Sequence, residues 1–229
     1  IPVTPDWVDV AEAPPAAAGM HRFVWDLRYA APKELPRSRR EQPRGVWAPP
    51  GRYSVRLVAN GHTLIQPLVV EKDPRISSTE ADLRQQFDLA KQAEAERVRL
   101  SAALDQARGL RERVKALRAK AEGTARGALD AFVKGLDDAA GPSVGSDEEF
   151  DEGQAESTNL RRLSSGMTRF QRAVESADVA PTPDARAGFE RRREEVSRGL
   201  SHWKAFLDTE LPALNRTLEA AGLPRQECC

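Results

Sequence analysis

The sequence predicts an α+β protein, mostly α, in which a small antiparallel β-segment precedes an antiparallel bundle of long helices. Three observations carry this. Apolar and polar residues alternate over two stretches before residue 71, apolar residues recur at steps of three and four over most of the chain after residue 78, and the joint "EKDPRISSTEADL" separates the two regimes. The expected division is a β-segment at 1–73, a helical bundle at 74–224 with an acidic loop near 141–155, and a short tail at 225–229.

In "MHRFVWDLRY", Phe23, Trp25, Leu27 and Tyr29 fall on alternate positions, which places them on one face of a strand that should be buried. "RYSVRLVANGHTLIQPLVV" repeats the pattern. Tyr53, Val55 and Leu57 alternate with polar residues, Asn60-Gly61 supplies the positive-φ residues of a two-residue hairpin, and Leu64 to Val70 returns. Trp47 with "APPG" marks the turn into that hairpin, and the Pro- and Arg-rich stretch Ala30 to Gly45 is a loop. A further strand is possible at Trp7 to Val10. Three or four strands fall short of the roughly seven of an immunoglobulin-type sandwich, so the sheet needs helices, another chain or further strands to pack on.

Pro74 disfavours helix before it, and Ser77 with Glu80 matches a capping box. The helix that follows carries Leu83, Phe87, Ala90, Ala93, Leu100, Leu104, Ala107, Leu110, Val114, Leu117 and Ala121 as a stripe, broken by a polar gap at Arg97. It would reach about 60 Å at 1.5 Å per residue. Shorter helices are predicted at Ala125 to Ala139 and Ser157 to Ala177, on either side of the acidic "GPSVGSDEEFDEGQ". Thr182 and Pro183 read as N-cap and first residue of a last helix, whose apolar face runs from Phe189 through Trp203 to Leu218 and which Pro212 should kink or interrupt. Gly222 and Pro224 stop it.

Charge and composition narrow the partners. Among 229 residues, 35 basic and 35 acidic side chains cancel, which removes the global electrostatic argument for binding nucleic acid or an anionic membrane. No apolar run approaches the ~20 residues of a membrane-spanning helix, and no charged-then-apolar leader is present, so a soluble chain is expected. The start at Ile1, without Met and directly in strand-like and Pro-rich material, points to a chain either processed or cut from something longer, the cut being the expectation. Cys228 and Cys229 lie at the very end, where they cannot close a loop; free thiols are expected, with an intermolecular disulfide the other option. His21, His62 and His202 are far apart and form no zinc signature, so no metal and no cofactor is expected.

"AGMHRFVWDLRY", "APPGRYSVRL", "DPR" leading into a helix, "ADVAPTPDA" and "LPALNRTLEAAGLP" occur in order and together resemble the C-terminal region of bacterial secreted BNR-repeat, sortilin-like β-propeller proteins, often labelled glycosyl hydrolases. The resemblance spans about residues 17–224. It implies that large propellers precede the region, that the β-segment is part of an Ig-like domain similar to that of flagellar hook-capping proteins, and that the parent is extracytoplasmic, periplasmic or secreted. The upstream propellers, or another protein, would then be its partners.

The hydrolase label does not carry over. The Asp-box pattern is absent, and Tyr29 and Tyr53, the only tyrosines, fall on predicted buried faces, so no catalytic residue is assigned and the chain is not expected to be an enzyme. The candidate binding surface is Arg37, Arg39, Arg40 and Arg44 with Trp47, which could contact a glycan, an acidic polymer or a protein, although a solvated loop explains it as well. "DEEFDEG" alternates Asp147, Glu149 and Asp151, but Glu152 and Thr158 stand where a calcium loop needs Gly and Glu. The expected function is a non-catalytic structural or interaction module; the alternative is an autonomous glycan- or protein-binding module. A hydrolase part, with its site in an upstream propeller, ranks third.

Overall fold

The computed structural model describes residues 16–36, 43–142 and 159–227. It contains a two-stranded antiparallel sheet, β1 (Gly51–Ala59) and β2 (His62–Val70), and four helices: α1 (Glu80–Arg118), α2 (Gly123–Ala140), α3 (Leu160–Val174) and α4 (Pro183–Ala220). The mostly helical α+β class read from the sequence is the class observed. The possible strand at Trp7 to Val10, the DEEFDEG stretch and both cysteines lie outside the described residues.

The helices build a rod of three rows. α1 meets α2 through Arg111–Asp137 and Arg118–Asp130, and meets α3 through Arg97–Gln171 and Gln86–Val174, so residue numbers rise along α1 as they fall along both partners. The two short helices therefore lie end to end, antiparallel to α1. α4 pairs with α1 in the same direction, through Arg186–Gln85 near one end and Trp203–Gln106 further along. The result is an up-down-up bundle whose middle row is interrupted between α2 and α3.

One continuous core runs through all four helices. Leu100, Leu110 and Val114 of α1, Leu129 and Leu136 of α2, Leu160 and Met167 of α3, and Phe189, Val196 and Leu218 of α4 are buried. Burying each such side chain contributes about 1.5–3 kcal/mol. Aromatic pairs lock the rows: Phe170 stacks on Phe189 across α3 and α4, and Phe132 meets Phe206 across α2 and α4. Gly135 leaves room for that second contact, since a Cβ there would lie 2.6 Å from the Phe206 ring and the ring would have to shift.

The caps show where the sequence reading shifts. The α1 capping box is made by Thr79 and Asp82, not Ser77 and Glu80: Thr79 Oγ1 accepts from the Asp82 N–H at 3.1 Å, and Asp82 Oδ2 accepts from the Thr79 N–H at 2.8 Å. Both pairs satisfy the same four-residue pattern, and the one adjoining the first helical residue wins. Thr182 caps α4 with Pro183 in its first turn, as expected. α3 is shorter than predicted, with Asn159 as its N-cap. Pro212 does not interrupt α4, which continues through it to Ala220. Pro212 is exposed, so its costs lie within the helix, in the missing N–H and the crowding of the Asp208 carbonyl, and not in core packing. The stop at Gly222 has φ +68°, with Leu223 N donating to Leu218 O at 2.8 Å.

The β-segment departs most from expectation. Phe23, Trp25, Leu27 and Tyr29 do not form a strand. The stretch makes one isolated bridge, Arg28 to Trp47, and Leu27 adopts φ +60°, which ends the extended run and the alternation that depended on it. Phe23 is 60% exposed, and Tyr29 is exposed too rather than buried, resting against Phe87 of α1. The hairpin forms in the predicted register, with Asn60 and Gly61 at positive φ and Leu57 opposite Leu64. Its apolar face is nevertheless open: Val55 is 52%, Leu57 54% and Leu64 63% exposed, and neither strand packs on a helix. Only the base is half-covered, where Trp25 meets Tyr53 edge-on.

Two segments outside the named strands and helices are partly buried. Within the Ala30 to Gly45 loop, Leu35 is buried, and the Glu34 carbonyl accepts from Ser101 Oγ of α1 at 2.6 Å. In the tail, Gln226 is buried and exchanges two hydrogen bonds with Asn215, through N to Oδ1 at 2.7 Å and Nδ2 to O at 2.8 Å.

Candidate functional site

The interruption of the middle row leaves a cleft of about 1010 Å³ over α1, between the end of α2 and the body of α3. The loop residues Leu35, Pro36, Pro43 and Arg44 form another wall. Seven arginines line it against three carboxylates, so a neutral chain concentrates positive charge in one place.

α1 supplies Arg97, Ser101, Leu104, Arg108 and Arg111, spaced by three, four or their multiples and hence on one helical face. Arg97, the polar gap in the apolar stripe, opens this cleft face, which runs beside the core face of Leu100, Ala103 and Leu110. Arg97 Nη1 donates to Gln171 Oε1 at 2.8 Å; its burial lowers the guanidinium pKa, and Glu94 and Glu175 oppose that shift. At the other end, Arg111 Nη2 donates to Asp137 Oδ1 at 2.6 Å and to Gly141 O at 2.9 Å, tying α1 to the last turn of α2. Arg161, in the first turn of α3, is lowered by burial first and by the like charge of Arg111 second.

A clasp closes the side nearest the hairpin. Glu175, the C-cap of α3, accepts from the Trp47 N–H at 3.0 Å and from Arg28 Nη1 at 3.5 Å with the same oxygen. Arg28 also donates to Gly45 O at 2.8 Å, and its guanidinium lies 3.7 Å from the Trp47 ring centroid. Gly45 permits this approach, since a Cβ there would fall 2.0 Å from Tyr29 O.

Of the residues singled out by sequence, Arg44 lines the cleft, and Trp47 is 44% exposed with one face covered by Arg28. Arg37, Arg39 and Arg40 lie outside the described residues. Trp25 is half-buried and Trp203 is buried, stacked on Phe206 with its Nε1 on Gln106. Arg28, Arg97, Arg111 and Arg161 were not singled out, and only the polar gap at Arg97 hinted at them. Among the described residues there is no group of three or more potential metal ligands, and no helix is long and apolar enough to cross a membrane. What the fold and cleft define is a helical rod carrying a free β-hairpin. No protein-family model, curated protein or solved structure matched this chain.

Proposed function

We propose that the chain is a non-catalytic structural and interaction module whose hairpin completes an Ig-like sheet supplied by another segment. In this reading it belongs to the C-terminal region of an extracytoplasmic β-propeller protein, and the propellers are its partners. The observation that carries the proposal is the open hairpin face of Val55, Leu57 and Leu64 beside a bundle with a continuous buried core. An isolated two-stranded hairpin is marginal in water and gains most by pairing.

The hairpin also indicates which edge pairs. A two-residue turn makes Ala59 and His62 a hydrogen-bonded pair, and alternation then turns the N–H groups of Arg52, Ser54, Arg56 and Val58 outward along β1. On β2, the outward positions are Thr63, Ile65, Pro67 and Val69, where Pro67 has no donor. A further strand is favoured on β1.

Amide hydrogen exchange tests this. In the chain alone, Tyr53 to Val70 should exchange fast beside protected helices; in a longer parent containing the Ig-like segment, the Arg52, Ser54, Arg56 and Val58 amides should become protected. Strong protection of the hairpin in the chain alone would overturn the proposal. The second reading, an autonomous glycan- or protein-binding module, is favoured by one observation, the arginine-lined cleft.

A further inference from the structure

We propose that the arginine-lined cleft between α1 and α3 is a binding site for an acidic peptide segment of a partner protein, about six residues long. Charge is the first argument. Seven arginines gather against three carboxylates in one cleft of a chain with no net charge; Arg111 is paired with Asp137, Arg108 with Asp105 and Arg28 with Glu175, and the arginines still outnumber the carboxylates that reach them. Such an arrangement is relieved by an anion, and guanidinium forks match carboxylates two bonds at a time.

The dimensions set the length. Arg97 and Arg111 are fourteen positions apart on α1, about 21 Å at 1.5 Å per residue. An extended peptide rising ~3.3 Å per residue covers that span with about six residues. Arg97 and Arg172 would meet carboxylates at one end, and Arg108, Arg111 and Arg161 at the other.

The lining between the ends selects a peptide over other polyanions. Pro36 and Leu104 give the cleft an apolar surface, which suits a peptide side chain and offers nothing to a uniformly charged polymer. No aromatic ring is among the lining residues described, so neither bases nor sugar rings have a surface to stack on. Ser101, Ser164, Ser165 and Thr168 bring hydroxyls that can bond a peptide backbone.

The test is fluorescence anisotropy of a fluorescein-labelled Glu/Leu hexapeptide with the full chain, beside the matching Gln/Leu peptide. Saturable binding of the acidic peptide alone is expected, weakened about tenfold or more in Arg161→Gln and Arg108→Gln. Arg161 interacts with both Arg111 and Asp137, so the melting temperature of each variant is measured beside its binding, and binding lost at an unchanged melting temperature is not lost folding. Binding that neither substitution changes would overturn the proposal, as would equal competition by inorganic phosphate or a heparin oligosaccharide. The chain's own run from Asp147 to Glu152 has similar chemistry. A variant with its carboxylates changed to amides therefore completes the test: binding that appears only in this variant would make the run the occupant and overturn the partner, and no binding in either protein would overturn the site.

Discussion

Glu175 Oε1 accepts the backbone N–H of Trp47 at 3.0 Å, across 128 positions of sequence, and this bond fixes the β-segment to the end of α3. The same oxygen holds Arg28, whose guanidinium covers Trp47. Glu175→Ala removes the acceptor and leaves a largely buried Arg28 with less compensation. Stability should fall by about 1–3 kcal/mol. Faster exchange of the Trp47 amide, with α4 unchanged, would separate this local release from general loosening.

Gly45→Ala should open the same strap from the other side. The added methyl would meet backbone, Tyr29 O at 2.0 Å, and backbone cannot step aside as a side chain can. The bridge bonds Tyr29 N to Val46 O and Ala48 N to Leu27 O should be lost together, costing about 2 kcal/mol. Denaturant unfolding checks the size, and faster exchange of the Tyr29 and Ala48 amides would locate the effect.

Thr79→Ala should weaken the chain in a pH-dependent way. The Thr79 N–H, and secondly its hydroxyl, hold the Asp82 carboxyl below its ordinary 3.8. That contribution is fully present above 3.8 and is lost as pH falls through the depressed folded value. Thr79→Ala keeps the N–H and removes only the hydroxyl's share, so the gap in melting temperature from wild type should be constant near neutrality and narrow only in part in acid, the lost Oγ1 acceptor for the Asp82 N–H remaining. Asp73 makes a useful control: the Arg75 side chain foremost lowers it to about 2, so its contribution survives further into acid and does not depend on Thr79.

Pro212→Ala should stabilise the protein. The substitution restores an N–H for the carbonyl of Asp208, in the preceding turn, and sacrifices no packing because Pro212 is exposed. Proline within a helix is about 3 kcal/mol less favourable than alanine, which sets the upper bound. A rise in melting temperature, with unchanged helix content by circular dichroism, is the expected result.

What could be read from the sequence was what neighbouring residues decide. The helices follow from steps of three and four, and the hairpin from Asn60-Gly61 flanked by alternation, because each signal is complete within one or two turns of chain. Phe23 to Tyr29 shows the limit: alternation says which side chains share a face, not whether a partner strand exists or whether Leu27 stays extended. The capping box was misplaced by two residues because Ser77/Glu80 and Thr79/Asp82 satisfy one pattern, and only helix geometry chooses. The cleft was nearly invisible, since Arg28, Arg97, Arg111 and Arg161 come from separate elements and converge only through packing.

The unequal edges of the hairpin limit what it can build. If β1 is the edge that accepts a strand, two copies could join β1 to β1 and form a four-stranded sheet. Both margins of that sheet would then be β2, each carrying Pro67 at an outward position. Growth would stop there: the geometry permits a pair and discourages a fibre, so a sticky surface is kept from becoming a polymerising one.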